Sequence, residues 1–279
     1  MDNIRIFSHY QTRPLIAKNP PIEMKISSDL GISTESIYQT AQGWQFSDGQ
    51  MLTYAHIQRI SENKNDCYLL KDDLFQKVEA FSPYTHLYYS LMPTPKAPTM
   101  LISGIPMHRI KGTTPVEDTE SKIKALKKPF GQILDTATGL GYTAIAAART
   151  ADRVITIEHD PAVIKICQAN PWSQELFTNT KINKLIGDSF DMVDMFPHEI
   201  FDAIIHDPPT FKLAGHLYSR ILYRSFFRIL KPHGRLFHYI GNPQSRSGAN
   251  VGTGVMERLE DSGFSVSPKP SAFGVLAVK

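Results

Sequence analysis

Cysteine is scarce in this 279-residue chain. Cys67 and Cys167 are too few for a disulfide framework and lack metal-ligand spacing, so both read as reduced thiols and no metal site is expected. Long apolar runs are missing too: none approaches the roughly 18 residues that a membrane span needs. Met1-Asp2-Asn3-Ile4-Arg5 has neither the basic nor the apolar region of a signal peptide, so we expect a cytoplasmic protein with no membrane partner. Charge of one sign is modest, at +3 net, and does not by itself announce a nucleic-acid binder. There is no internal repeat or low-complexity tract. What remains, 42% hydrophobic and 20% charged residues, suits a globular chain with a sizeable core.

The charge is unevenly spread. Residues 212–246 carry Lys and Arg but no Asp or Glu, and Arg220, Arg224 and Arg228 recur every fourth residue on the helix expected over Leu217–Leu230. Such a stripe is either a solvated face paired with Asp188, Asp191, Asp194, Glu199 and Asp202, or a phosphate-contacting surface.

The first hundred residues differ in texture from the rest. The Pro20-Pro21 pair, the turn Ser47-Asp48-Gly49-Gln50 and short strand-forming runs such as Ile22–Ile26 and His86–Leu91 indicate a small β-rich domain over 1–98, with one short helix at Tyr54–Ile60. Pro93-Thr94-Pro95-Lys96-Ala97-Pro98 can continue neither a helix nor a central strand and marks the boundary. Over 99–279 helix and strand patterns alternate with short connections, which predicts a parallel sheet covered on both faces. A helix over Val116–Lys127 leads to strands at 132–135, Arg153–Glu158, Ile182–Ile186, Ala203–His206 and Arg235–Ile240. A helix over Val255–Ser262 and a hairpin at Phe264–Val266 and Gly274–Val278 complete seven strands.

The densest signal is Ile133-Leu134-Asp135-Thr136-Ala137-Thr138-Gly139-Leu140-Gly141-Tyr142, a buried strand, a glycine turn and a helix start in succession. Small residues there let the backbone approach a ligand closely. In an open parallel sheet the ligand crevice lies at the carboxyl ends of the strands, so the residues that follow each strand belong together. The second strand ends at Glu158, about 17 residues after Gly141, where a carboxylate can accept hydrogen bonds from a ribose diol. Gly187-Asp188-Ser189 follows the third: Asp188 could accept from an adenine amine and Ser189 offer a backbone donor, with an N-cap role for Asp188 compatible with both. Asp207-Pro208-Pro209 follows the fourth, where two prolines fix the backbone and aim the Asp and a carbonyl into the crevice.

In this order the motifs resemble the class I S-adenosylmethionine-dependent methyltransferases. Asp135 to Gly141 is similar to their first motif, with Ala137 where glycine is commoner. Thr156-Ile157-Glu158-His159-Asp160-Pro161 is similar to the acidic motif of the spermidine-synthase branch. Asp207-Pro208-Pro209-Thr210-Phe211 is similar to the Asp-Pro-Pro-aromatic motif of enzymes that methylate amino groups on bases, with the aromatic displaced by one position, and closer to ribosomal RNA methyltransferases carrying Asp-Pro-Pro-x-Phe. Ser103–Arg109, Asp207–Ser219 and Leu236–Pro243 are similar to a family of archaeal-type methyltransferases of undefined substrate.

The resemblance implies a seven-stranded Rossmann-like catalytic domain, S-adenosyl-L-methionine as cofactor, and a methyl-acceptor partner, with RNA as a candidate. It implies cofactor contacts from Asp135, Ala137, Thr138, Gly139, Gly141, Tyr142, Glu158, His159, Asp188, Ser189 and Asp207. Asp207 and the Pro208 carbonyl would orient the acceptor nitrogen. Pro209, Phe211, Tyr218, Tyr239, Arg109 and Lys122 would form the substrate site, and Asp118 is either a further contact or a first-turn acid favoured by the helix dipole. His206 and His238 should lie near the pocket, although a strand-end histidine is more often structural than catalytic. Carbon-5 pyrimidine methylation is disfavoured, because neither cysteine is placed to act as its nucleophile. Two other readings stay open: aminopropyl transfer of the spermidine-synthase type, and a non-catalytic RNA-binding protein on a cofactor fold.

Overall fold

The computed structural model describes residues 4–17, 20–72, 74–211, 213–242 and 246–279, with no account of the side chains of residues 246–249. The chain divides into two compact units. The first holds the residues up to Val116 together with Ala162–Gln174, and the second Glu117–Pro161 with Glu175–Lys279.

The first unit is rich in short antiparallel strands. Glu23–Ile26, Glu35–Gln39, Gly43–Phe46 and Met51–Thr53 form a meander, Tyr68–Lys71 pairs with both Arg5–Phe7 and Leu74–Lys77, and a third sheet spans Glu79–Pro106. Phe7, Ile37, Trp44, Leu52, Ile57 and Leu70 fill its core. The helix runs over Tyr54–Glu62, two residues past the expected end, and opens on a capping box between Thr53 and His56. Buried Arg5 is held by Glu35 (2.9 Å) and Asp48 (2.8 Å). The Pro93–Pro98 segment joins two paired strands, Tyr88–Met92 and Thr99–Ile102, so the unit continues beyond it to Val116. Prolines stop a strand but do not by themselves end a domain. In the returning piece, Trp172 Nε1 donates to the Leu30 carbonyl (3.1 Å).

The second unit carries the seven-stranded sheet. Its strands are β1 (Gln132–Asp135), β2 (Arg153–Glu158), β3 (Ile182–Ile186), β4 (Phe201–His206), β5 (Leu230–Tyr239), β6 (Ser265–Lys269) and β7 (Gly274–Val278). They stand in the order β3-β2-β1-β4-β5-β7-β6. The first five are parallel, and β7 runs antiparallel to both β5 and β6. Ile133, Leu134, Ile204 and Ile205 are all buried, as expected where helices cover both faces of a parallel sheet. The order reverses between β1 and β4, so their carboxyl ends flank the switch-point crevice.

The helices of the sheet's chain segment are α1 (Pro115–Ala125), α2 (Tyr142–Ala148), α3 (Pro161–Ala169), α4 (Glu175–Thr178), α5 (Ser189–Met192), α6 (Arg220–Ile229) and α7 (Arg246–Glu260). Several bounds differ from the sequence expectation. The helix expected over Leu217–Leu230 is a 3-10 turn at Gly215–Tyr218 followed by α6, because Ser219 takes an extended conformation and its hydroxyl caps the Leu222 amide. Helix α7 begins nine residues before Val255, despite Gly252 and Gly254, since Val255 and Leu259 anchor it in the core. Strand β5 begins at Leu230, and an irregularity at Phe201/Ala203 lets β4 follow it.

The turn into α2 needs Gly141 for two reasons. Its φ is +79°, and a Cβ there would come within 2.2 Å of Leu176 Cδ1 on α4. Gly141→Ala should therefore destabilise the protein by about 2–4 kcal/mol in denaturant unfolding, from left-handed strain plus overpacking. In a Leu176→Ala background only the strain should remain, about 1–2 kcal/mol.

Candidate active site

The glycine turn is fastened to Glu158 at the end of β2. Glu158 Oε2 accepts from the Gly139 amide (2.9 Å) and Oε1 from the Asp160 amide (3.0 Å). The His159 amide adds a third donor, so of the roughly four lone-pair positions of the carboxylate about one remains for a ligand hydroxyl. Beneath the turn runs a hydroxyl chain in which Thr138 Oγ1 lies 2.6 Å from Thr156 Oγ1, and Thr156 donates to Asp135 Oδ2 (2.9 Å). Thr143 on α2 donates to the same oxygen (3.3 Å), while Asp135 Oδ1 is buried with no partner among the described residues. Tyr142 is buried at the first position of α2 and His159 is exposed after β2.

Asp188 performs the N-cap role: Oδ1 accepts from the Phe190 amide (2.8 Å), and Oδ2 lies 3.2 Å from His216 Nε2. Ser189, the next residue, is buried.

At the end of β4 stands a buried ionic cluster. Lys122 of α1 donates to Asp207 Oδ2 (2.5 Å), lies 2.8 Å from Asp118 Oδ2 one helical turn away, and has its ammonium 4.7 Å from the centroid of the Tyr239 ring. The Lys122 and Asp118 side chains are 2% and 1% exposed, whereas that of Asp207 is 20% exposed. Among the described residues no donor is bonded to Asp207 Oδ1. Pro208 is buried and Pro209 exposed; the Tyr218 hydroxyl donates to the Pro209 carbonyl (3.0 Å) and fixes the loop. The exposed Phe211 ring meets Tyr218 edge-on, with centroids 5.4 Å apart.

The structure thus brings Asp135, Thr138, Gly139 and Glu158 together, and separately Asp207, Lys122 and Tyr239, at the ends of adjacent strands. Ala137 lies in the same turn. Arg109 belongs to the first unit. His206 and His238 are core residues. His206 Nε2 lies 2.8 Å from the Leu217 carbonyl, and since that oxygen only accepts, Nε2 carries the proton and Nδ1 accepts from Thr136 (2.6 Å). Burial holds His206 down at about 4 and drives His238 well below the usual imidazole range, so both stay neutral in their roles as anchors. The arginine stripe does not pair as a unit with the acidic stretch. Arg220 pairs with Asp261; Arg228 donates to the Phe196 (2.7 Å) and Val193 (3.0 Å) carbonyls and lies 3.6 Å from Asp194; Arg224 is exposed and unpaired among the described residues.

The partners of these groups have little signature in the sequence. Asp118 and Lys122 stand four apart on one helix, a spacing that signals an ion pair, but nothing nearby in sequence points to Asp207. Thr156 carries no signal of its own, because a strand threonine reads as a β-former.

Burial pushes the Asp135 carboxyl up to about 7, opposed by its Thr156 hydrogen bond, and Asp207 adds its own repulsion. It also pushes Glu158 up to about 7, against the amide donors of the turn. For Asp207, burial raises the carboxyl while the Lys122 ammonium pulls it back, with a net upward direction. For Asp135 and Glu158 the folded state holds protons that the unfolded chain releases near pH 4, so this contribution to stability is present at about pH 4 and lost as pH rises through 7. Urea unfolding of the ligand-free protein should show stability falling across that window, and Asp135→Asn should flatten part of the slope.

A protein-family model described as conserved hypothetical protein 95 matches residues 120–234, which include the glycine turn, Glu158 and Asp207. Among solved structures, a spermidine synthase in complex with the transition-state analogue AdoDATO covers 75% of each chain at TM-score 0.56 and 17% identity. The Thermotoga maritima spermidine synthase covers the same shares at TM-score 0.55 and 18% identity. The likeness to the two synthases shows a shared Rossmann-like fold, a mainly parallel sheet with a β-rich part before it. Uncharacterized protein MJ1233 of Methanocaldococcus jannaschii is 45% identical over 238 residues, 84% of this chain and 81% of that protein. The chain belongs to the family of MJ1233.

Proposed function

We propose that the protein is an S-adenosylmethionine-dependent methyltransferase acting on an uncharged nitrogen, such as the exocyclic amine of an RNA base. The observation that carries this reading is Asp207: one oxygen is tied to Lys122, the other is without a donor among the described residues, and the side chain is partly open at the end of β4. A carboxylate held in that way accepts an N–H hydrogen bond and keeps the nitrogen lone pair pointing away from itself.

The residues present suit the cofactor. Carboxylates at the ends of β1, β2 and β4 repel a pyrophosphate but favour a ligand with a sulfonium charge and ribose hydroxyls. Glu158 retains acceptor capacity for the diol, and the glycine turn that it braces allows close backbone approach. When bound, S-adenosylmethionine would supply an electrophilic methyl carbon on a sulfonium, with sulfur able to keep the electron pair of the carbon–sulfur bond. Asp207 Oδ1 orients the acceptor and receives the proton that the nitrogen sheds. The Tyr218–Pro209 bond holds the loop that presents the Pro208 carbonyl, and Phe211 offers a stacking face for a planar base. Holding the nitrogen at attack distance in a water-poor crevice is the greater part of the catalysis.

RNA as the acceptor is supported by the Asp-Pro-Pro-x-Phe motif and by the exposed Phe211 and Arg224. Calorimetry should show S-adenosylhomocysteine binding to the wild type and at least about tenfold weaker binding to Glu158→Ala, roughly the 1.4 kcal/mol scale of one lost hydrogen bond to a charged group. Transfer of labelled methyl to RNA by Asp207→Asn should drop about 10²–10³-fold in kcat, a larger loss than that in cofactor affinity. Aminopropyl transfer from decarboxylated S-adenosylmethionine to a polyamine, with no methyl transfer, would replace this reading with the spermidine-synthase one.

A further inference from the structure

Asp118, Asp207 and Tyr239 form a binding site for an alkylammonium ion. Two carboxylate oxygens stand 2.8 and 2.5 Å from one nitrogen, and an aromatic face lies 4.7 Å from it. This is the combination that recognises a primary ammonium: charge-assisted hydrogen bonds on one side and a π face on another. Its occupant is the chain's own Lys122, which reaches it from α1, and the whole Lys122 side chain is 2% exposed. The cage uses Asp207 Oδ2, while the Asp207 side chain as a whole is 20% exposed.

We propose that Lys122 is a built-in surrogate for a cationic amine, and that by filling this cage it closes the site to polyamines and other alkylammonium acceptors and leaves only an uncharged nitrogen able to reach Asp207 Oδ1. The assignment of specificity rests on the reading of Asp207 as the group that receives the acceptor. The cage itself is independent of that reading. With Lys122 in place the two cage oxygens and the ring face are already taken, so a second ammonium finds neither of its charge-assisted hydrogen bonds there, whereas a neutral amine needs only the remaining Asp207 oxygen. Lys122 thereby acts as a positioning and specificity residue rather than a catalytic one, and its charge pulls the Asp207 carboxyl down against the upward push of burial.

The test is chemical rescue with n-propylammonium, the fragment that Lys122→Ala removes. Thermal unfolding of Lys122→Ala should rise by a few degrees, about 2–4 °C for each ~1 kcal/mol of ligand stabilisation, as n-propylammonium chloride is raised into the millimolar range. Sodium chloride and tetramethylammonium chloride at equal ionic strength should not reproduce the shift, and the wild type should not respond. The proposal is overturned if the variant and the wild type respond alike, or if tetramethylammonium, which cannot donate a hydrogen bond, does as well. Calorimetry on the wild type supplies an arm that does not depend on the variant folding: propylammonium, putrescine and spermidine should show no saturable binding, and micromolar binding of any of them would show the cage to be open. S-adenosylhomocysteine in the same titrations reports on the transferase reading alone, so its failure to bind is distinguishable from failure of the cage.

Discussion

The ion cluster of Lys122 with Asp118 and Asp207 is the constraint around which the crevice is built. A lysine this deeply buried is tolerable only because two carboxylates and an aromatic ring replace its hydration, and truncating Lys122 leaves two carboxylates without a counter-charge. The cluster ties α1, which precedes the sheet in sequence, to the end of β4 across 85 residues of chain. It also settles which oxygen of Asp207 is spent on structure. Had Lys122 engaged both, the residue would be a plain ion-pair partner with no capacity for a ligand.

A second carboxylate is shared in a similar way. Glu158 holds the turn amide of Gly139 on one oxygen and the Asp160 amide on the other, with the His159 amide as a third donor, so the shape of the glycine turn and the placement of this acid are one feature. Burial raises this carboxyl to about 7, while the backbone amides that it accepts from oppose the rise. Asp135 plays a quieter part, anchoring α2 and β2 through Thr143 and Thr156 below the crevice. Fold, electrostatics and candidate chemistry therefore meet at the ends of β1, β2 and β4, where an open sheet offers its crevice.

Much of this is legible in the sequence because strand periodicity and turn chemistry are local. The continuous apolar runs of β1 and β4, the glycine turn and Asp207-Pro208-Pro209 each announce themselves within about ten residues, and their strand-end positions place them together once a parallel sheet is assumed. Element ends are harder. Ser219 breaks what helical spacing alone presents as one helix, and the glycines of α7 mask a helix held by tertiary packing. The side-chain pairings are not legible at all. Whether Arg228 binds carbonyls or acids, or Lys122 a substrate or Asp207, depends on distances between residues far apart in the chain. His206 and His238 illustrate the same limit: their strand-end position is visible, but only packing against Phe226 and Tyr223 shows them to be core anchors.

On the proposed reading, the crevice between β1 and β4 takes S-adenosylmethionine on Glu158 while Asp207 presents one oxygen to an acceptor. A crystal structure with S-adenosylhomocysteine tests it most directly. The account predicts ribose hydroxyls on Glu158, the homocysteine sulfur facing Asp207 Oδ1 across the crevice, and Lys122 still paired with Asp118 and Asp207. A ligand bound elsewhere, or an Asp207 whose free oxygen turns away from the sulfur, would contradict it.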